Sequence, residues 1–159
     1  MNEIQGHLNA AGTKIVVIVA KFNREITDAL LHGAIDAFLH YGGVENNLTV
    51  VKVPGAFEIP GAAKRIIESL KPHAIVTLGA VIRGGTPHFD YVAGEVSRGV
   101  ARLSLESEIP VIFGVLTTDT LQQARERAGS RASNKGWDAV EAALDTLSVY
   151  EQIKTGTSI

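Results

Sequence analysis

Apolar positions along this chain switch repeatedly between two spacings. Short unbroken runs of β-branched residues alternate with longer stretches in which apolar residues return every three or four positions. Ile15-Val16-Val17-Ile18-Val19-Ala20 is the first such run and predicts a strand buried on both faces. Over residues 25–41, Ile26, Leu30, Ala34, Ala37, Phe38 and Tyr41 recur at helical spacing, and Gly42-Gly43 ends the helix. A second strand is predicted over 48–53 and is broken by Pro54-Gly55. A helix follows over 59–70, with Pro60 tolerated in its first turn. Residues 74–80 read as a third strand, 83–87 as a loop, and 89–105 as a helix with Val92, Val96, Val100 and Leu103 on one face. The fourth strand covers 111–116 after Pro110. A short helix over 120–128, striped by Leu121, Ala124 and Ala128, and a long helix over 137–153 complete the pattern.

Four strands alternating with helices imply parallel pairing through right-handed crossovers. The expected fold class is α/β: a three-layer, flavodoxin-like sandwich with a four-stranded parallel sheet and helices on both faces. Residues 1–159 are expected to form a single domain, with 154–159 as a frayed tail. Residues 1–13 have no helical partner. With the chain's own sheet full, they are expected to form an N-terminal arm that adds a strand to a neighbouring subunit.

Composition narrows the classes of function. The 159 residues are 45% hydrophobic and 20% charged, and 15 Lys and Arg against 17 Asp and Glu leave a net charge of −2. A nucleic-acid partner would leave a basic footprint, and none is present. There is no cysteine, which excludes disulfide scaffolds, thiolate-bound metals and thiol nucleophiles. The N-terminus is polar, and the longest apolar run falls far short of the roughly 20 residues that span a bilayer. A cytoplasmic location without membrane contact is therefore expected. Mean hydropathy is +0.14. That value fits either a dense Ala- and Val-rich core or apolar surface covered by other copies of the chain.

In an open parallel sheet, ligands bind beyond the carboxyl ends of the strands. The segments at those ends are Lys21-Phe22-Asn23, Pro54 to Glu58, Val81 to His88, and Thr117-Thr118-Asp119. The third is the richest. Gly84-Gly85-Thr86 stands before a helix, where free N–H groups and the helix dipole suit a phosphate, although these residues alone read more readily as a plain turn. No Gly-Lys-Ser/Thr follows, so this is not a Walker loop. His88 is the one histidine of five in a candidate site loop. It is suited to proton transfer, or else it caps a helix. No second histidine stands at metal-ligand spacing, so no metal is expected. Phe22 and Phe57, just past buried strands, are stacking platforms or lids. Glu58 is a polyol or amine ligand, or a carboxylate at a helix N-terminus. Arg125, Arg127, Arg131 and Lys135 form a solvated charged face, or present an anion clamp across a subunit boundary.

Taken together, these segments resemble the lumazine synthase family of riboflavin biosynthesis. The match is carried by Lys21-Phe22-Asn23, Pro54-Gly55-Ala56-Phe57-Glu58-Ile59-Pro60, the run from Gly79 to Val92 containing Arg83-Gly84-Gly85-Thr86-Pro87-His88-Phe89-Asp90-Tyr91, Pro110 to Thr117, and Arg127-Ala128-Gly129 through Asn134-Lys135-Gly136. The resemblance implies condensation of 5-amino-6-(D-ribitylamino)uracil with 3,4-dihydroxy-2-butanone 4-phosphate to 6,7-dimethyl-8-ribityllumazine, with release of phosphate and water and without cofactor or metal. It implies His88 as the catalytic proton shuttle. It implies Phe22, Ala56, Phe57, Glu58, Ala80, Val81 and Ile82 as ligands of the ribitylaminouracil. Gly85 and Thr86 are implied as phosphate-binding amides. Phe113 and Arg127 are implied to enter from the neighbouring subunit, Phe113 on the ring and Arg127 on the phosphate, with Lys135 as an accessory.

The chain departs from the family pattern at two positions: Arg131 stands where lysine is frequent, and Ser133 where glycine is frequent. The resemblance also implies a pentamer. The short 129–133 connection favours a 60-subunit shell of twelve pentamers, with riboflavin synthase as a further partner. Two other readings stand beside the enzyme: a non-catalytic binding module for a flavin-related or phosphorylated ligand, and a shell that has lost catalysis.

Overall fold

The computed structural model of the chain describes residues 1–156. Its sheet has four strands, β1 (Ile15–Ala20), β2 (Leu48–Val53), β3 (Ala74–Ile82) and β4 (Val111–Thr118), all parallel and in the order β2-β1-β3-β4. The helices are α1 (Arg24–His40), α2 (Ile59–Ser69), α3 (His88–Glu106), α4 (Leu121–Arg127) and α5 (Lys135–Thr155). The expected three-layer α/β architecture is the one observed.

Crossover handedness sorts the helices. The chain steps from β1 outward to β2 and then back past β1 to β3 and β4. Right-handed connections in opposite directions must lie on opposite faces. Accordingly α1 packs with α5 on one face, and α2 packs with α3 on the other. Side chains alternate to match: Ile15, Val17 and Val19 join the core under α1 and α5, whereas Val16, Ile18 and Ala20 join the core under α2 and α3. β1 is buried along its whole length, which explains its unbroken β-branched run.

Several boundaries differ from the expected ones. β3 runs to Ile82 and β4 to Thr118, because Val81 pairs with Thr117 and Ile82 with Thr118, and Arg83 N–H donates to Thr118 O. Val81 and Ile82 are therefore strand residues. Helix α5 starts at Lys135, two residues before the expected start, because the buried Asn134 side chain accepts from the N–H groups of Gly136 and Trp137. It continues to Thr155 and ends at Gly156 in the left-handed region (φ 64°). Lys154 and Thr155 thus belong to the helix, and the expected frayed tail is corrected at those positions; the remainder of that expectation, 157–159, lies outside the described residues. Leu121 is 40% exposed, so only Ala124 and Ala128 of the expected stripe on α4 are buried.

Residues 1–10 form neither strand nor helix. They lie along α5: His7 Nδ1 is 2.6 Å from Ser148 Oγ, and Gln152 Nε2 donates to Gln5 O at 2.7 Å. Ala10 N–H donates to Tyr41 O, which fixes the entry into β1. No helix among the described residues is long and apolar enough to cross a membrane.

Helix α5 approaches the sheet closely at Gly114. A Cβ there would stand 2.6 Å from Thr77 O, 2.8 Å from Leu78 Cδ2 and 3.1 Å from Ala139 Cβ. Two of those neighbours are fixed by the sheet and by α5, so the site cannot relax cheaply. Gly114→Ala is expected to cost about 2 kcal/mol through overpacking. It should lower the urea midpoint with little change in slope; an unchanged midpoint would contradict this packing.

Candidate active site

The strand order reverses between β1 and β3, so the segments leaving their carboxyl ends turn to opposite faces and leave a crevice. A cleft of about 650 Å³ occupies that place. Its floor comes from Ala20 of β1 and from Ala80, Val81 and Ile82 of β3. Phe22 and Asn23, the 3₁₀ turn Ala56–Glu58, and Gly84, Thr86 and His88 form its walls, with Phe89, Tyr91 and Val92 of α3 completing them. The cleft therefore unites Phe22, Ala56, Phe57, Glu58, Ala80, Val81, Ile82, Thr86 and His88. Gly85 sits in the rim between the lining residues Gly84 and Thr86.

Local chemistry fixes each wall. Phe22 follows β1 and is 72% exposed, an unusual position for so large an apolar ring. Its backbone is held by an N–H bond to Pro54 O, and that of Lys21 by a bond to Val53 O. Asn23 then turns the chain into α1 with φ 59° and ψ 50°. Few residues other than glycine adopt this left-handed conformation, and asparagine is one of them. Its Nδ2 donates to Ala80 O at 2.7 Å, so one side chain ties the ends of β1 and β3 together. Glu58 Oε2 accepts from Gly55 N–H at 2.9 Å, which orients the carboxylate at the cleft wall. It acts as a local cap and lines the cleft at once.

The loop before His88 is latched from one side. Arg83 Nε donates to Asp119 Oδ1 at 2.9 Å, and its Nη1 lies 3.4 Å from Asp90 Oδ1. The guanidinium carbon stands 4.2 Å from the centre of the Phe89 ring. The hydrogen bond to Asp119, reinforced by the Asp90 charge, pushes the Arg83 pKa above its ordinary value. At Gly84 and Gly85 an added Cβ would meet nothing within 4 Å, and neither has a positive φ. The chain's own packing thus makes no demand for glycine at either position. The two glycines precede the start of α3, where an anion is favoured.

Phe113, Arg127 and Lys135 are elsewhere. Phe113 lies on the edge strand β4 opposite Thr77, whereas Ala80 is opposite Leu116. Three residues of strand set Phe113 about 10 Å below the level of the cleft floor. It lines a separate cleft of about 400 Å³ with Arg127, Lys135, Asp138 and Ala139, and no residue lines both clefts. Arg127 Nη1 donates to Gln123 O at 3.0 Å, and Lys135 Nζ pairs with Asp138 Oδ2 at 2.7 Å. Arg125 turns the other way and grips both carboxylate oxygens of Glu25 on α1. Its hydrogen bond pulls the Glu25 carboxyl below the usual value. Among the described residues, no group of three His, Cys, Asp or Glu side chains is placed to hold a metal ion.

Asn23, Arg83, Phe89, Tyr91 and Val92 stand in segments that carry the family resemblance, but the sequence assigns none of them a role at the site. An asparagine directly after a buried strand and before a helix is a detectable signal for Asn23. Val92 belongs to the helical stripe and Phe89 and Tyr91 lie off it, and such a period does not reveal that their side of α3 faces a ligand space. Asn23→Ala removes the bond to Ala80 O and leaves a strained backbone, and is expected to cost about 2 kcal/mol. Asn23→Gly relieves the strain and should cost less; equal midpoints for the two variants in urea would contradict the backbone part of this account.

Residues 12–151 match the family model described as 6,7-dimethyl-8-ribityllumazine synthase. A 6,7-dimethyl-8-ribityllumazine synthase of Campylobacter jejuni subsp. jejuni serotype O:23/36 (strain 81-176) is 55% identical over 154 residues, covering 96% of this chain and 100% of its own length. A protein of the same name from Campylobacter jejuni subsp. doylei (strain ATCC BAA-1458 / RM4099 / 269.97) is 54% identical over the same shares of both chains. With a cleft at the switch point built from three of the segments that carried the resemblance, and with these matches along nearly its whole length, the chain belongs to the 6,7-dimethyl-8-ribityllumazine synthase family of enzymes.

Proposed function

We propose that the chain condenses 5-amino-6-(D-ribitylamino)uracil with 3,4-dihydroxy-2-butanone 4-phosphate to form 6,7-dimethyl-8-ribityllumazine, the penultimate step of riboflavin biosynthesis. The observation that carries this reading is the grouping of Phe22, the Ala56–Glu58 turn, Ala80, Val81, Ile82, Thr86 and His88 around one cleft. Phe22 stacks on the pyrimidine ring. The backbone of Ala80, Val81 and Ile82 reads the polar ring edge, and Ala56, Phe57 and Glu58 hold the ribityl chain. The amides of Gly85 and Thr86 receive the phosphate.

The chemistry follows from this placement. The 5-amino group attacks the ketone carbon, and the carbinolamine loses water to give an imine. The carbon bearing the neighbouring hydroxyl then loses its proton, the C–H pair forms a C=C bond as phosphate leaves with its C–O bonding pair, and the resulting enol tautomerises to a methyl ketone. The ribitylamino nitrogen adds to that carbonyl and closes the second ring with loss of a further water. Each step moves a proton between nitrogen, carbon and oxygen. His88, at the cleft wall, supplies an imidazole that can both accept and donate a proton. Amides and cations beside the departing phosphate stabilise charge that grows as the bond breaks. The remaining task is holding two substrates in register.

The phosphate clamp requires Arg127, with Lys135 as an accessory, and the ring site requires Phe113. All three line a cleft that shares no residue with the one holding His88. This separation supports a site divided between chains, in which one subunit's β4 edge closes the next subunit's cleft. The unpaired edges of β2 and β4 leave room for a neighbour. We extend the reading to a homo-oligomer built as a pentamer, with a shell of twelve pentamers favoured by the short 129–133 connection. The reading includes a cytoplasmic location, the N-terminal arm as a strand added to the neighbour, and riboflavin synthase as a further partner. No cofactor or metal takes part.

Supplying both substrates should produce the lumazine chromophore together with inorganic phosphate. Binding without turnover would favour the binding-module reading instead. His88→Ala is expected to lower kcat roughly 10²-fold, and unchanged turnover would remove His88 from the mechanism. Arg127→Ala should raise KM for the butanone phosphate about ten-fold or more, with a smaller effect on the amine substrate. An unchanged KM would contradict the phosphate role.

A further inference from the structure

Arg131 has no part in the reaction outlined above, yet it is docked more elaborately than the other cations nearby. Its guanidinium carbon stands 4.1 Å from the centre of the Trp137 ring, and its Nη2 lies 3.2 Å from His40 Nε2. The rings of His40 and Trp137 are 5.4 Å apart, and Tyr41 packs edge-on against both. Glu141 Oε1 accepts from the Tyr41 hydroxyl at 2.5 Å and from the Trp137 indole N–H at 2.7 Å. The bond to Glu141 pushes the Tyr41 phenol pKa up, so it stays a donor. One carboxylate therefore fixes two rings, and the shelf of rings fixes the guanidinium.

Arg131 lies in a small closed loop. Its neck is the antiparallel bridge between Ala128 and Asn134, strengthened by Asn134 Nδ2 donating to Gly129 O at 3.1 Å and to Ala29 O at 3.0 Å. Inside the loop, Ser133 N–H donates to Ser130 O at 2.8 Å. Arg127 is the residue just before this neck and Lys135 the residue just after it. The loop thus sets the relative placement of the two cations that share the cleft with Phe113. Arg131 itself points into a different cleft, lined by His32, Asp36, His40 and Trp137. It is not a third member of the cation pair.

We propose that Arg131 is a positioning residue: docked on Trp137 and His40, it holds the 129–134 loop closed and so presets Arg127 and Lys135 for a phosphate monoester. The proposal rests on the phosphate role given to Arg127 above. Without the dock, the loop samples open states, and binding must bear the cost of ordering it. The loss then falls on affinity for the phosphorylated substrate and spares the chemical step.

The test combines amide hydrogen exchange with steady-state kinetics on the intact protein, comparing wild type, Arg131→Ala and Arg131→Lys. Arg131→Ala should speed exchange in 129–134 while α1 and the middle of α5 stay protected. It should raise KM for the butanone phosphate about five-fold, with kcat and KM for the amine within about two-fold. Arg131→Lys should recover most of both effects, because an ammonium also sits favourably over an indole face. Should Arg131→Ala fail to fold, Arg131→Gln, which removes the charge and keeps a longer polar side chain, is expected to give the same pattern. Unchanged exchange in the loop would overturn the anchoring role. Faster exchange with an unchanged KM would overturn the link to the clamp. The exchange readout needs no substrate, so a failed anchor is distinguished from a failed phosphate assignment, which Arg127→Ala reports alone.

Discussion

The reversal of strand order between β1 and β3 is the constraint on which the rest depends. Right-handed crossovers send the chain to opposite faces on either side of that point, so no connection covers the crevice above it. Phe22 and Asn23 leave β1 on one side, and Val81, Ile82 and Arg83 continue β3 on the other. The Asn23 side chain spans the gap through its bond to Ala80 O. The same geometry explains the exposure of Phe22. The residue follows a strand buried on both faces, yet its ring stands in the one place the helices do not reach.

A second constraint governs the opposite end of the molecule's charge. The buried Asn134 side chain bonds to α1, to the 129–134 loop and to the first turn of α5. Gly136 lets α5 approach α1 there, since a Cβ would collide with Leu30 O. This junction fixes where α5 begins and therefore where Lys135 stands relative to Arg127. Cations and proton-transfer group are thus held by different elements of the fold. On the proposed reading they meet only when two chains assemble, which makes assembly a condition of catalysis.

Much of this was legible in the residues. The β-branched run marked β1 because a strand covered on both faces needs apolar side chains along its whole length. The strand ends then located Phe22, the Ala56–Glu58 turn, Ala80 and His88. Element ends were less legible because they depend on partners distant in sequence: Ile82 is a strand residue through its pairing with Thr118, and Gly136 is helical through the Asn134 cap. Tyr91 and Phe89 receive no site role from the sequence because helical periodicity reports burial against the core and is silent about a ligand face. Arg131 reads as part of a solvated charged face or of an anion clamp, since no spacing rule relates it to His40, ninety-one positions away. The separation of Phe113 and Arg127 from the His88 cleft came from the family resemblance, and no local pattern in the chain expresses it.

The central claim is that the reacting centre and its phosphate clamp come from different chains. The direct measurement is activity after His88→Ala and Arg127→Ala proteins are unfolded together in equal amounts and refolded. With the two groups contributed by neighbouring subunits, random assembly places both intact residues at about a quarter of the sites. Assayed with butanone phosphate well below its KM, where Arg127→Ala retains about a tenth and His88→Ala about a hundredth of wild-type activity, the mixture should recover roughly a quarter of wild-type activity. If His88 and Arg127 served the same site from one chain, no mixture would hold an intact site, and the refolded mixture would be no more active than its components.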